Sequence, residues 1–564
     1  MGMLPIIMEK DSMTDSRSIP DKIKRRRLLQ GVGAVGIASL AGCTGGSNDD
    51  SSGGDGGDGD NTSDGGSGSQ SGNKNSKLTL SLVKSPLEFD PIVLNDVPSA
   101  EVSDRIFEGL YTYDAGINQV PQLATDKPEV KNDGKTYVVK LNTDAKFQNG
   151  DPVTAEDVKY SFEAPVKEET ENAAELNMID SVKAVDDHTV QFDLKYPYGP
   201  FMNTLTWSIV PKKVREKSKK DFNKKMPVGS GPFKFDSWQE GKSVKISRWD
   251  DYWGDLTPNL AKVHYTPIEE PTTRLTSLQT GESDVIEEIP PKLWQQVKGM
   301  GDASIVATKA LGYYYLAFNC KKGPTTNPKV REAIDYCFDM DQAISNFVEP
   351  TGVRQYSPLP EQITKKWDFP LDKWKKIISH GKDIDKAKQL FDDADEVPNN
   401  WTAKIIVPPD DKREQLGITV ANGMKQAGYN AKVQRLDWGA FLDKYVSGDP
   451  NDCNMYTLGW SGGPDPDDFL YYFFTEDAHG STDGTYYNKV SDKIVNARKS
   501  ADHAERKKLY SEAITTLLED RAHIPAYNLK NSFGMKDNVH GFKAHPVLSF
   551  VLATQYTNVS VGSQ

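Results

Sequence analysis

Cysteine is scarce in this chain: four in 564 residues, at positions 43, 320, 337 and 453. No Cys-x-x-Cys or Cys/His spacing occurs, so neither a zinc module nor a disulfide framework organises the fold. Cys320, Cys337 and Cys453 are expected as buried free thiols, with a Cys320–Cys337 disulfide as the alternative. Histidine is also sparse, eight residues without a cluster, and no metal or other cofactor is expected. No apolar window reaches the ~18 residues of a membrane span. Basic charge is outweighed, 68 Lys and Arg against 81 Asp and Glu, a net charge of −13. That balance disfavours nucleic acid, whose phosphates need clustered cations. The first 42 residues carry seven basic and four acidic side chains, so the remainder is more acidic still, at −16.

The strongest local signal is residues 25–43. Arg25-Arg26-Arg27 precedes a glycine-containing apolar stretch ending at Leu40, then Ala41-Gly42-Cys43. A basic start, a short apolar middle and a small-residue exit make an export signal. The arginines followed by Leu28-Leu29 resemble a twin-arginine signal. Leu40-Ala41-Gly42-Cys43 resembles a lipobox, so residues 1–42 read as a removed signal and Cys43 as the lipid attachment point. Residues 43–76 are rich in Gly, Ser, Asp and Asn. They cannot bury a core and read as a disordered tether, with a reach of about 30 Å as a flexible coil. Asn61, Asn400 and Asn558 fit the N-glycosylation pattern, which has meaning only outside the cell.

The ordered part mixes both periodicities. Alternation predicts strands at 78–83, 137–141, 190–194, 233–238, 244–248, 313–318, 405–407, 433–436 and 455–459. Helical patterns cover 99–109, 272–280, 330–338, 416–427 and 441–446, and Thr154 is placed to cap another. Interleaved strands and helices predict α/β lobes.

Several motifs, in order from about residue 78 to 527, resemble the family 5 solute-binding proteins of dipeptide, oligopeptide and nickel ABC importers. They include Phe107-Glu108-Gly109-Leu110-Tyr111 and Val120-Pro121-Gln122-Leu123-Ala124. The stretch from Phe147-Gln148-Asn149-Gly150-Asp151-Pro152 to Val158 is the most specific. Pro227-Val228-Gly229-Ser230-Gly231-Pro232-Phe233 follows, with Tyr252-Trp253 behind it. Later come Leu278-Gln279-Thr280-Gly281-Glu282, Val330-Arg331-Glu332-Ala333-Ile334, Gly459-Trp460, Pro464-Asp465-Pro466-Asp467 and Ile524-Pro525-Ala526-Tyr527. Most of these read physically as turns and caps that maintain the fold.

The resemblance implies an α/β fold of the periplasmic-binding-protein type II: two lobes, an interlobe cleft and an extra inserted domain. Lobe I is expected at 77–120, 226–308 and 530–564, the insertion at 121–225, and lobe II at 309–529. It further implies a lipid-anchored, extracytoplasmic monomer that captures peptides and hands them to an ABC permease. ATP hydrolysis falls to separate ATPase subunits, because no phosphate-binding Gly-x-x-x-x-Gly-Lys-Ser/Thr loop is present. The cleft residues it implies are Glu88, Phe89, Tyr314, Gly459, Trp460, Ser461, Gly462, Gly463, Asp465 and Tyr527. Peptide-binding members commonly carry Trp-x-x-Asp, whose acid meets the ligand's amino group, whereas this chain has Trp460-Ser461-Gly462-Gly463. Asp465 or Glu88 is the expected substitute, and oligosaccharide or another non-peptide solute is the alternative ligand. Nickel is disfavoured by the absence of a histidine cluster.

Two other classes stay in view. Gly459-Trp460-Ser461-Gly462-Gly463 matches the serine-hydrolase elbow, with Asp483 and His523 in the matching order, but Pro464 and Pro466 oppose the helix that elbow requires. A surface adhesion lipoprotein that keeps the binding fold without a permease is the third class.

Overall fold

The computed structural model describes residues 76–562, apart from 395–396, 399, 553 and 555–556. The export signal, Cys43 and the tether up to residue 75 lie outside the described residues.

Twelve strands form one long sheet. Its spatial order is Asn430–Arg435, Thr402–Val407, Met455–Ser461, Gly312–Phe318, His523–Lys536, Val285–Glu287, Ser76–Leu82, Leu260–Pro267, Ser243–Arg248 and Phe233–Gln239. Ala303–Lys309 and Gly352–Arg354 also pair with His523–Lys536. That 14-residue strand is the axis of the molecule. Its first half pairs with Gly312–Phe318 and its second half with Ala303–Lys309. The sheet therefore belongs to two lobes joined where the chain crosses twice, near 310–311 and 528–530. The crossings are tied together: Ala310 N donates to Leu529 O (2.9 Å) and Asn528 Nδ2 to Ala310 O (2.7 Å).

Lobe II buries apolar side chains on both sheet faces, around Tyr313, Tyr315 and Phe473 on one and Leu316, Ile334 and Val420 on the other. Lobe I has its core around Leu80, Phe89, Ile246 and Phe533. The inserted domain is a four-stranded antiparallel sheet in the order Glu129–Lys131, Thr136–Lys140, Thr189–Leu194 and Ile179–Asp186. Residues 189–194 alternate in burial, as their period-two pattern predicts. The helix Ala155–Lys167 covers this sheet. Thr154 and Asp157 close a reciprocal capping box at its start.

The motifs are contacts between distant segments. Gly229 passes so close to the carbonyl of Ile106 that a Cβ there would collide with backbone. Glu108 is fully buried and accepts from Tyr252 Oη (2.6 Å), Trp253 Nε1 (3.2 Å) and Gln122 Nε2 (3.3 Å). The motifs at 107–111, 120–124 and 252–253 thus meet at one carboxylate. Cys320, Cys337 and Cys453 are free thiols, and the alternative Cys320–Cys337 bridge is not formed. No helix among the described residues is long and apolar enough to cross a membrane.

Burial pushes the Glu108 carboxyl up to about 7, against the pull of its hydrogen bonds. Its folded pKa lies above the unfolded one, so its contribution favours folding below about pH 4.5 and is lost as pH rises through about 7. Urea titrations across this window should show a loss on the order of 3 kcal/mol from this group in the wild type. The slope should flatten in Glu108→Gln, and an unchanged slope would contradict the assignment.

Candidate functional site

The strand Met455–Ser461 pairs with Gly312–Phe318, setting Gly459 opposite Tyr314 and Trp460 opposite Tyr313. Beyond Ser461 the chain leaves the sheet at a hinge crossing, where Gly462 N donates to Leu311 O (3.2 Å). Two prolines, at 464 and 466, keep the next residues out of a helix until Asp467–Phe474 begins. This helix is buried along its whole length, acidic first turn included.

Three aspartates gather at its start, Asp465 ahead of the helix and Asp467 and Asp468 in its first turn, and two of them pair with arginines. Arg506 Nη2 binds Asp465 Oδ1 at 2.7 Å, and the Asp467 amide donates to the same oxygen at 2.9 Å. Arg498 Nη1 binds Asp467 Oδ2, and Tyr510 Oη donates to Oδ1 at 3.1 Å. Asp468 is left over. It is 2 % exposed, and no described residue donates a hydrogen bond to its carboxylate. Burial pushes its pKa well above the usual carboxylate range; Asp465, Asp467 and Glu175, which lines the same cavity, add to the rise and Arg498 opposes it.

Asp468 lines a cavity of about 250 Å³ where lobe I, the inserted domain and lobe II converge. The floor is Ala310, Leu311 and Ser461–Gly463; Tyr113, Tyr198 and Trp207 form the opposite wall. Asn531 fixes another edge by donating to the carbonyls of His545 (2.8 Å) and Pro546 (3.0 Å). The Trp207 indole N–H is buried without an acceptor among the described residues. The parts of the molecule also touch near the cavity. Tyr198 lies against the Arg498 guanidinium (4.8 Å), and Gly199 N donates to Arg498 O (2.8 Å). Ile117, held at φ 59°, inserts into the lobe II core.

The residues named from sequence divide sharply. Ser461, Gly462 and Gly463 line the cavity together. Trp460 does not: its ring packs on Tyr472 and Phe473, and its indole N–H is used on Asp468 O (2.8 Å). Gly459 is a packing glycine, since a Cβ there would enter the Tyr314 ring. Tyr314 and Tyr527 stack on each other, 4.6 Å apart and 7° from parallel, beside Arg413 rather than on the cavity. Phe89 is core, packed on Phe235 and Trp238. Glu88 is half-buried and bonds to Asn223, and Asp465 is held by Arg506, so neither expected substitute reaches the cavity.

Sequence reasoning passed over Asp468, although it follows directly on the Pro464–Asp467 motif. It also passed over Arg413, which is buried near Tyr314 and Trp438 with Nε and Nη1 lacking acceptors. The only sequence signal for either is an ionisable residue at the start of a helix, which most helices share.

The hydrolase elbow is not built. The helix starts at Asp467, six residues after the serine of the motif, and Ser461 is exposed. His523 is buried and engaged by Thr485 Oγ1 (2.7 Å) and Tyr313 Oη (3.3 Å), and Asp483 accepts from the amides of Thr485 and Tyr486. No group of three or more His, Cys, Asp or Glu that could hold a metal ion occurs among the described residues.

Residues 118–481 match the model of the bacterial extracellular solute-binding proteins, family 5. The oligopeptide-binding protein AppA of Bacillus subtilis is 26% identical over 517 residues, covering 85% of this chain and 93% of its own length. A probable D,D-dipeptide-binding periplasmic protein, DdpA, of Escherichia coli is 26% identical over 489 residues, covering 84% of this chain and 92% of its own. Among solved structures, HbpA2 from Haemophilus parasuis superposes with a TM-score of 0.76 at 23% identity, over 86% of this chain and 100% of that one.

If Asp465 is a structural ion, removing its partner should unfold rather than merely blunt the site. Arg506→Met is expected to lower unfolding stability by about 3–5 kcal/mol. Adding Asp465→Leu should recover most of that loss in urea denaturation, and a stable single variant would contradict the pairing.

Proposed function

The chain belongs to the bacterial extracellular solute-binding proteins, family 5, and from that premise we propose that it is the membrane-tethered peptide receptor of an ABC importer. It is a binding protein and not an enzyme. The observation that carries the ligand class is the cavity between the parts of the molecule, floored by Ser461–Gly463 and lined by aromatic rings. The end of a strand that opens on such a cavity suits an added peptide strand. The cavity volume lies near the lower limit of the roughly 300–1,000 Å³ common for ligand sites, which favours short peptides over long ones. The oligopeptide and D,D-dipeptide names of the relatives support the same class.

In this reading the rigid bodies of closure are residues 77–120, 226–308 and 530–564 with the insertion 121–225 on one side, and 309–529 on the other. Ligand binding closes them about 310–311 and 528–530, and the closed form docks on a permease whose ATPase is a separate subunit. Lipid on Cys43 keeps the receptor at the membrane.

Thermal melting of the purified domain against dipeptide, tripeptide and oligosaccharide libraries tests the ligand. A peptide at 100 times its Kd should add about 2.7 kcal/mol of stability; stabilisation by sugars alone would overturn the peptide class. For the anchor, Cys43→Ala should move the protein from the membrane fraction to the medium, and unchanged membrane retention would remove the lipid from the account.

A further inference from the structure

We propose that the Asp468 carboxylate is the group that recognises a protonated amine on the ligand. The inference rests on the peptide-receptor reading and names its specificity-determining residue.

A buried carboxylate that serves the fold is normally satisfied by it. Its two neighbours obey this rule: Asp465 has Arg506 and an amide, and Asp467 has Arg498 and a tyrosine hydroxyl. Asp468 has equal burial, no donor, and a place on the cavity wall. Leaving a carboxylate there costs stability unless something brings it a positive charge and hydrogen-bond donors. An ammonium group does both. The aromatic rings that line the same cavity, Tyr113, Tyr198 and Trp207, suit a cation as well.

Gly463 explains why the acid sits where it does. A Cβ on Gly463 would lie 2.6 Å from Asp468 Oδ2. An acidic side chain at 463 and the Asp468 carboxylate would occupy the same space. The glycine leaves that space to an acid carried five residues further on, delivered from the first turn of a helix rather than from the loop.

The unpaired charge also predicts an opposite effect in the empty protein. Burial and the neighbouring Asp465, Asp467 and Glu175 raise the folded pKa of Asp468 against the pull of Arg498, so its contribution falls as pH rises from the unfolded value near 3.8. At neutral pH the isosteric Asp468→Asn should therefore melt higher than wild type when unliganded, while losing the ligand's amine. A residue that merely supported the fold would melt lower.

The test offers random tripeptides free of lysine, arginine and histidine, and the same pool N-acetylated, to wild type and to Asp468→Asn, with retained peptides measured by mass spectrometry. Wild type should retain the free-amine pool and discriminate against the acetylated one. Asp468→Asn should bind the free-amine pool roughly 30-fold or more weakly and show no preference between pools. Equal retention of both pools by wild type, unchanged retention by Asp468→Asn, or a lowered melting temperature of unliganded Asp468→Asn would overturn the assignment alone. Retention of neither pool by wild type would overturn the peptide reading and this one with it.

Discussion

Three buried carboxylates at the start of one helix, and two arginines brought to them from two other helices, set the terms for the site. Charge cannot be removed from water without compensation. Two of the aspartates meet that condition inside the protein, through Arg506 and Arg498. The third, Asp468, faces the cavity instead. Arg498 serves a second purpose, because the insertion packs against it through Tyr198 and Gly199. One residue thus neutralises Asp467 and docks the insertion on lobe II.

The hinge depends on a simpler constraint. One continuous strand, His523–Lys536, changes partners along its length, from lobe II strands to lobe I strands. Its neighbour crossing at 310–311 runs beside it and is tied to it by two hydrogen bonds. Ala310 and Leu311 of the cavity floor lie at the first crossing, and Asn531 lines the cavity just beyond the second. Ile117 of lobe I enters the core of lobe II, a further contact between the lobes.

The fold was legible because its signals are local and repeated. Burial alternates at 189–194, Thr154 caps as its position predicts, and Gly281 ends the helix Pro271–Thr280 at φ 75°. Parts of the site were legible for the same reason: Ser461–Gly463 follow a recognisable strand and lie where that strand meets the hinge. Aromatics were not. Trp460, Phe89, Tyr314 and Tyr527 belong to cores and stacks, because a large ring is held equally well by a lobe interior and by a ligand. Glu88 and Asp465 were named because they are acids near the right loop. Only three-dimensional partners reveal that Asn223 and Arg506 already occupy them. Asp468 was hidden by the same logic in reverse, since the absence of a partner leaves no mark on a sequence.

The central claim is that the cavity presents the Asp468 carboxylate, which no described residue satisfies, to the amine of its ligand. A crystal structure of the receptor with a bound short peptide tests it most directly. The account predicts the peptide's amino nitrogen within about 2.7–2.9 Å of an Asp468 oxygen, with Asp465 and Asp467 still on their arginines. A bound peptide whose amino group points elsewhere, with Asp468 satisfied by protein donors, would contradict it.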